Sequence, residues 1–325
     1  MAELPIIDIS GLRSSEQRHR RKIIRDIGDA CHDIGFMYIS GHGIPEETVA
    51  RIRQAALDFF SRPKEEKLRL SISRDNYRGY IPLGFFTPNK SGLSKDNYEG
   101  YKLHAETDPA DPICAQCPIY GPNKWPANIP GFRQAVLRYW SECDRVMEIL
   151  MCALASVLGV DPTIFRDAFV KPLTNMTLLH YPPQTPGDSG FGIHPHKDTD
   201  ALTILAPDPL GGLQVKRKNR NKWMSADAPP GALIVNIGDM LELWSGGYFT
   251  STPHKVVNGS GDERYSFPYF AVPRHDTVVR PLCRSQKGFS RPVLNVGEVS
   301  REVWRTNWAD AIPAIPELDL GTLPD

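Results

Sequence analysis

The chain has 325 residues, 38 basic against 38 acidic side chains and 41% hydrophobic residues. A chain of this size buries a core without disulfide or metal staples, and its balanced charge offers no field for nucleic acid or an anionic membrane. No apolar run approaches the roughly 20 residues that cross a bilayer, and the N-terminus has no basic, apolar leader. The six scattered cysteines fit reduced thiols, so a cytoplasmic protein is expected, with neither nucleic-acid nor membrane partners.

Residues 5–9 read as a short strand. A polar start at Ser14, Ser15 and Glu16 leads into Ile23, Ile24, Ile27, Ala30, Cys31 and Ile34 at helical spacing, stopped by Gly35. Residues 36–39 read as a strand closed by a Gly41-His42-Gly43 turn. Pro45 then opens a helix to about residue 61, with proline at a tolerated early position. Residues 72–130 are rich in Gly, Pro, Asn and aromatics with little periodicity, and read as long loops with short strands, the usual form of binding segments. A long helix follows over 130–160. From there short strand-like runs alternate with turn residues: 176–181, 201–205, 213–215, 232–236, 255–258 and 265–272. Many short strands with regular turns favour a sandwich or barrel over a parallel sheet. A helix near 299–308 and a Pro-rich tail end the chain. The reading is one domain, mainly β with flanking α: a helical and loop region (1–170), a β core (171–285) and a terminal helix with tail (286–325).

Three constellations carry chemistry. His196-Lys197-Asp198 places a histidine and a carboxylate two apart, which on a strand share a face. His254, 56 residues on, opens another strand-like run. Two imidazoles and one carboxylate form the facial triad that holds non-haem Fe(II) and leaves three positions open. His42 and His194 are alternative ligands on paper, but His194 stands four residues from Asp198, at the wrong spacing. Arg264-Tyr265-Ser266 follows, with Arg264 and Ser266 on one face. A guanidinium fork matches a carboxylate, and a hydroxyl adds a further bond. Cys114-x-x-Cys117 lacks the other half of a zinc site, and the basic run at 216–222 reads as a solvated turn.

Together these residues resemble the isopenicillin N synthase-like branch of the Fe(II)/2-oxoglutarate dioxygenases. The resemblance spans nearly the whole chain: Gly35-Phe36 with His42-Gly43-Ile44, Tyr181-Pro182-Pro183, His196-x-Asp198, Gly211-Gly212-Leu213-Gln214, Pro253-His254-Lys255 and Arg264-x-Ser266. It implies a double-stranded β-helix (jelly-roll) core wrapped by N-terminal helices. It also implies Fe(II) held by His196, Asp198 and His254, and 2-oxoglutarate bound through Arg264, Ser266 and Tyr181, with O2 as oxidant. Leu179 replaces an asparagine often found in the family, so one polar contact is absent or replaced. The small-molecule substrate is expected against residues 72–104 and the tail, with Arg78, Tyr80, Phe85, Tyr101 and Lys102 as candidates, although Arg78 and Lys102 also read as ordinary loop charges. Hydroxylation, desaturation and cyclisation of a secondary-metabolite or amino-acid-derived compound all remain open. Two alternatives stand beside this: an oxidase of the same fold that needs no 2-oxoglutarate, and a non-catalytic ligand-binding member.

Overall fold

The computed structural model describes residues 4–86, 95–184, 190–216, 222–259 and 261–306. The chain opens with β1 (Ile6–Asp8), a single 3-10 turn and α1 (Gln17–Asp33), then β2 (Phe36–Ser40), α2 (Glu46–Phe60) and the short α3 (Lys64–Leu68). The region read as loops contains β3 (Gly79–Ile81), β4 (Glu99–His104) and a one-turn α4 (Ile113–Gln116). The long α5 (Phe132–Leu158) and short α6 (Thr163–Ala168) lead into β5 (Asn175–Tyr181), β6 (Ile193–His196), β7 (Leu202–Leu205), β8 (Leu213–Lys216), β9 (Trp223–Ser225) and β10 (Leu233–Ile237). Then come α7 (Asp239–Trp244), β11 (His254–Val256), β12 (Arg264–Ser266), β13 (Tyr269–Ala271), β14 (Val278–Val279), β15 (Leu294–Asn295) and α8 (Val296–Thr306).

Two sheets make the core. The larger has nine strands among the described residues, in the order β1-β2-β10-β7-β13-β5-β4-β3, with β12 paired to β5 as well. The smaller runs β6-β11-β8-β9. Strands from the first 104 residues therefore extend the large sheet at both ends. Period-two alternation divides its side chains between two environments. Met37, Ile39, Leu103, Met176, Leu178, Leu202, Ile204 and Val235 face a helical layer built on α1, α2 and α5. Phe36, Tyr38, Leu179, Tyr181, Leu205 and Ile234 face Leu213, Val215 and Val256 of the small sheet.

The long helix forms because its apolar residues recur on one stripe, and Val136, Tyr139, Cys143, Val146, Leu150 and Leu154 are all buried. Glycines with positive φ bound it, Gly131 at +80° and Gly159 at +68°. No helix among the described residues is long and apolar enough to cross a membrane.

Several readings need correction. The run at 265–272 is two strands, β12 and β13, because Pro268 has no N–H for the ladder. The run at 255–258 is β11, starting at His254; Asn258 lies beyond it and donates its amide to the Pro182 carbonyl (2.8 Å). The terminal helix begins at Val296, three residues before its expected start. Asp198 does not continue a strand from His196: β6 ends at His196, and Asp198 stands in the turn toward β7.

Candidate active site

That turn is held by backbone pairing with the start of α7. The Asp198 carbonyl accepts Asp239 N–H (2.8 Å), and the Asp200 carbonyl accepts Met240 N–H (3.0 Å). Gly238, just before, leaves no room for a side chain: a Cβ there would stand 2.2 Å from the Asp200 carbonyl oxygen. His196 and His254 are direct cross-strand partners between β6 and β11, a position that brings side chains into contact. Their ring centroids lie 4.3 Å apart.

Asp198 Oδ1 lies 3.6 Å from His196 Nε2 and 3.5 Å from His254 Nε2. Ligand atoms of all three side chains lie within 4.8 Å of one another. Each remaining atom is engaged elsewhere. His196 Nδ1 is 2.8 Å from the His194 carbonyl, and His254 Nδ1 is 3.2 Å from that of Thr252. A carbonyl only accepts, so Nδ1 carries a proton, and the neutral ring that binds a metal turns its Nε2 lone pair inward. Asp198 Oδ2 accepts from Thr203 Oγ1 (2.6 Å) and Asn236 Nδ2 (2.7 Å). Burial pushes the Asp198 carboxyl up, but His254, His196, Thr203 and Asn236 outweigh it and leave the carboxyl below its ordinary range. Burial holds His254 down against the pull of Asp198. Two neutral imidazoles and one carboxylate on a common focus suit a divalent iron and give no thiolate to favour zinc.

The second constellation lies on the large sheet, opposite the small sheet that carries the two histidines. Arg264 pairs with Tyr181, and Ser266 with Leu179, across β12 and β5. Arg264 Nε donates to the Gly211 carbonyl (2.6 Å), and its guanidinium stands 4.7 Å over the Tyr181 ring. Its Nη1 is buried without a partner among the described residues. A buried donor left open is what an incoming carboxylate completes.

The candidate substrate residues divide by strand alternation. Tyr101 pairs with Leu178 and Tyr80 with Tyr101, on the helix side of the large sheet. Tyr101 is packed against Phe59, its hydroxyl on the Lys124 carbonyl (2.8 Å), and Tyr80 donates to Glu99 Oε2 (2.5 Å). Both belong to the core and not to the pocket lining, because neighbours of Lys102 on a strand must face the other way. Lys102 pairs with Thr177 on the inner side. Arg78 is 2% exposed, and Lys102 is held at Asn175 Oδ1 (2.5 Å), so neither is a solvated loop charge. Phe85 packs against the small cluster of Ile72, Tyr77 and Ile81.

Other residues fall outside the centre. His42 caps loops, Nε2 to the Gly231 carbonyl (2.9 Å) and Nδ1 under Ile44 N–H (3.1 Å). His194 turns to Asp96, 2.6 Å away. All six cysteines are free thiols. Most of the basic run, and the tail after 306, lie outside the described residues.

Thr203, Asn236 and Glu242, the last accepting Ser251 N–H (2.9 Å) ahead of His254, were missed in the sequence. The first two had a signal, since each is a polar residue interrupting an apolar strand.

Residues 4–128 match the family described as non-haem dioxygenase in morphine synthesis, N-terminal, and residues 173–273 match the 2OG-Fe(II) oxygenase superfamily. The 2-oxoglutarate-dependent dioxygenase thnC of Trichoderma harzianum is 35% identical over 274 residues, 82% of this chain and 83% of its own. The chain belongs to the isopenicillin N synthase-like Fe(II)/2-oxoglutarate oxygenases. A 2-oxoglutarate-Fe(II) type oxidoreductase of Aspergillus fumigatus is 30% identical over 311 residues, covering 93% of this oxygenase and 92% of the relative. The fold matches that of a full-length Neurospora crassa protein solved in complex with α-ketoglutarate and thymine, at a TM-score of 0.83 and 24% identity over 94% and 97% of the two chains. This oxygenase is an oxidoreductase that uses Fe(II), 2-oxoglutarate and O2 on a small molecule in a jelly-roll fold. Nothing in these relatives favours the oxidase without 2-oxoglutarate or the non-catalytic binder.

Proposed function

We propose that His196, Asp198 and His254 hold the iron, and that Arg264, Ser266 and Tyr181 receive the distal carboxylate of 2-oxoglutarate, on a single domain working in the cytosol. The observation that carries this is the convergence of two bare imidazole nitrogens and one free carboxylate oxygen, every other atom of those side chains being engaged. The second support is the open Nη1 of Arg264. The bound iron with 2-oxoglutarate supplies the oxidation, in which O2 converts the co-substrate to succinate and CO2 while the substrate is oxidised. The chain's own part is to fix the ligand tautomers, hold Asp198 ionised, orient the co-substrate and keep water from the buried face. A secondary-metabolite or amino-acid-derived compound is the substrate class that the family resemblance leads us to expect.

Anaerobic titration of 2-oxoglutarate into the Fe(II)-loaded protein tests the reading. A visible charge-transfer band should appear, vanish in His196→Ala, and require more than about tenfold more co-substrate in Arg264→Ala, as loss of hydrogen bonds to a charged group predicts. Iron binding without a band would move the chain to the oxidases that need no 2-oxoglutarate.

A further inference from the structure

A second set of polar groups occupies the same inner face of the large sheet. His104 pairs with Asn175, Asn175 with Phe270, Phe270 with Thr203, and Thr203 with Asn236. Directly opposed residues share a face, so these side chains form one row across the sheet. Thr203 and Asn236, at its end, are the two that hold Asp198. Lys102 joins the row at its other end, bonded to Asn175 and 5.2 Å from the Phe270 ring centroid. Over this end lies a cavity of about 80 Å³ whose walls include Lys102, His104, Asn175, Thr199, Met240 and Trp304. Thr199 follows Asp198 directly and Met240 is bonded to the same turn, so the cavity abuts the ligand-bearing loop.

The cations there lack a contact partner of opposite charge, although Asp200 and Asp198 act on Lys102 through space. No carboxylate forms an ion pair with Lys102, or with Arg78 behind the wall, among the described residues. Arg78 gives one nitrogen to the Ile119 carbonyl (2.5 Å), while its Nε is buried without a partner. The ring of His104, itself 7% exposed, makes only a loose contact with the Tyr77 backbone, and the indole N–H of Trp304 completes no hydrogen bond among the described residues. Buried cations normally carry a partner, since an isolated one is costly. Lys102 and the open indole N–H of Trp304 line the cavity, and an anionic acceptor there meets both, with Arg78 adding its charge from behind.

We propose that this cavity is the primary-substrate subsite and that it takes a small carboxylic acid as its anion, with the negative charge on Lys102. The inference rests on the iron and 2-oxoglutarate reading above, because it is the row ending at Asp198 that makes the cavity a substrate site. Arg78 is then a positioning residue, acting through the field it adds behind His104.

The test uses the full chain with Fe(II) and saturating 2-oxoglutarate, without O2, so that the co-substrate site is filled. The probes are matched acids and amides: phenylacetate with phenylacetamide, and hexanoate with hexanamide. Binding is read by calorimetry and by thermal shift. Wild type should prefer each acid over its amide by about tenfold or more, as expected for hydrogen bonds to a charged group. Lys102→Gln, which keeps an N–H for Asn175 and removes the charge, should lose that preference, while Lys102→Arg keeps most of it. Should Lys102→Gln not fold, Trp304→Phe on the peripheral wall supplies the independent case, with acids weakened severalfold and 2-oxoglutarate unaffected. Equal binding of acids and amides by wild type, no binding of the acids at millimolar concentration, or an unchanged preference in Lys102→Gln each overturn the proposal. A loss of 2-oxoglutarate affinity in Lys102→Gln also overturns it, by placing Lys102 in the co-substrate site. Failure of wild type to bind Fe(II) or 2-oxoglutarate, seen before any probe is added, brings down the underlying reading and this one with it.

Discussion

The two faces of β4 treat buried cations in opposite ways. On the helix side, Lys67 Nζ meets both oxygens of Glu99 (3.0 and 2.8 Å) and the Phe60 carbonyl (2.9 Å), and Glu99 also takes Tyr80 (2.5 Å) and His180 (2.8 Å). Glu99 is so well supplied that its carboxyl stays below the ordinary range although burial pushes it up. On the inner side, three residues along the same strand, Lys102 has an amide oxygen and an aromatic ring, and burial brings its pKa down to about 8. Arg78 is lowered to about 10 for the same reason. A closed network holds the fold together; an open one leaves the fold with an interaction to complete. The difference separates a structural charge from a binding one where burial alone does not.

Breaking the closed side should have the largest effect. Lys67→Met leaves Glu99 buried without its cation and should cost about 3–5 kcal/mol, the range for removing one member of a buried pair, read by urea denaturation. The 2-oxoglutarate affinity of the folded protein should not change. The carboxylate of Asp198 is the intermediate case, closed at Oδ2 and open at Oδ1. Asn236→Ala should weaken iron binding by roughly 10- to 100-fold, as for other groups that orient a ligand, with less effect on unfolding of the metal-free chain than Lys67→Met. Metal titration followed by chelator competition checks this.

The smallest effect concerns His104 and sharpens the open side. Burial first, then Arg78 and Lys102, holds its pKa well below the ordinary 6.5. As pH falls through 6.5 the unfolded chain gains a proton that the folded chain refuses, so stability declines on the acid side and not above it. His104→Leu should flatten that decline by at most about 1.4 kcal/mol per pH unit, measured by denaturation on both sides of 6.5. An unchanged slope would mean that His104 takes up its proton alike in the folded and unfolded chains, and that neither burial nor the two cations act on it as described.

Much of the site was legible because its chemistry needs rare residue types in a fixed order. His196-x-Asp198, the distant His254 and Arg264-x-Ser266 stand out against short apolar strands, and the strands themselves show as short runs, such as 176–181 and 232–236, set between Gly, Pro, Asn and Asp. The substrate wall was only half legible. Tyr101 and Lys102 are adjacent, one must face the helices and the other the cavity, and nothing within 72–104 says which. The answer lies in pairing β4 to β5, where Tyr181 already fixes the inner face. Counting back by twos from Tyr181 gives Leu179, Thr177 and Asn175, and would have found the row that ends at Asp198. Trp304 could not be found this way, since it gains its place from the packing of a separate element, α8.

The cavity also has a floor and a ceiling of different kinds. Its floor is a sheet whose other face is fastened to the helical layer, while one wall is Trp304 on α8, carried behind the two-residue strands β14 and β15 and stacked on Tyr77 at 5.5 Å. Mutations in the floor must satisfy both faces at once, whereas those in the terminal helix answer to one. An enzyme arranged like this has room to drift in what it accepts: lineages can vary the last helix and trade one acid for another, while iron, co-substrate and the charged floor descend unchanged.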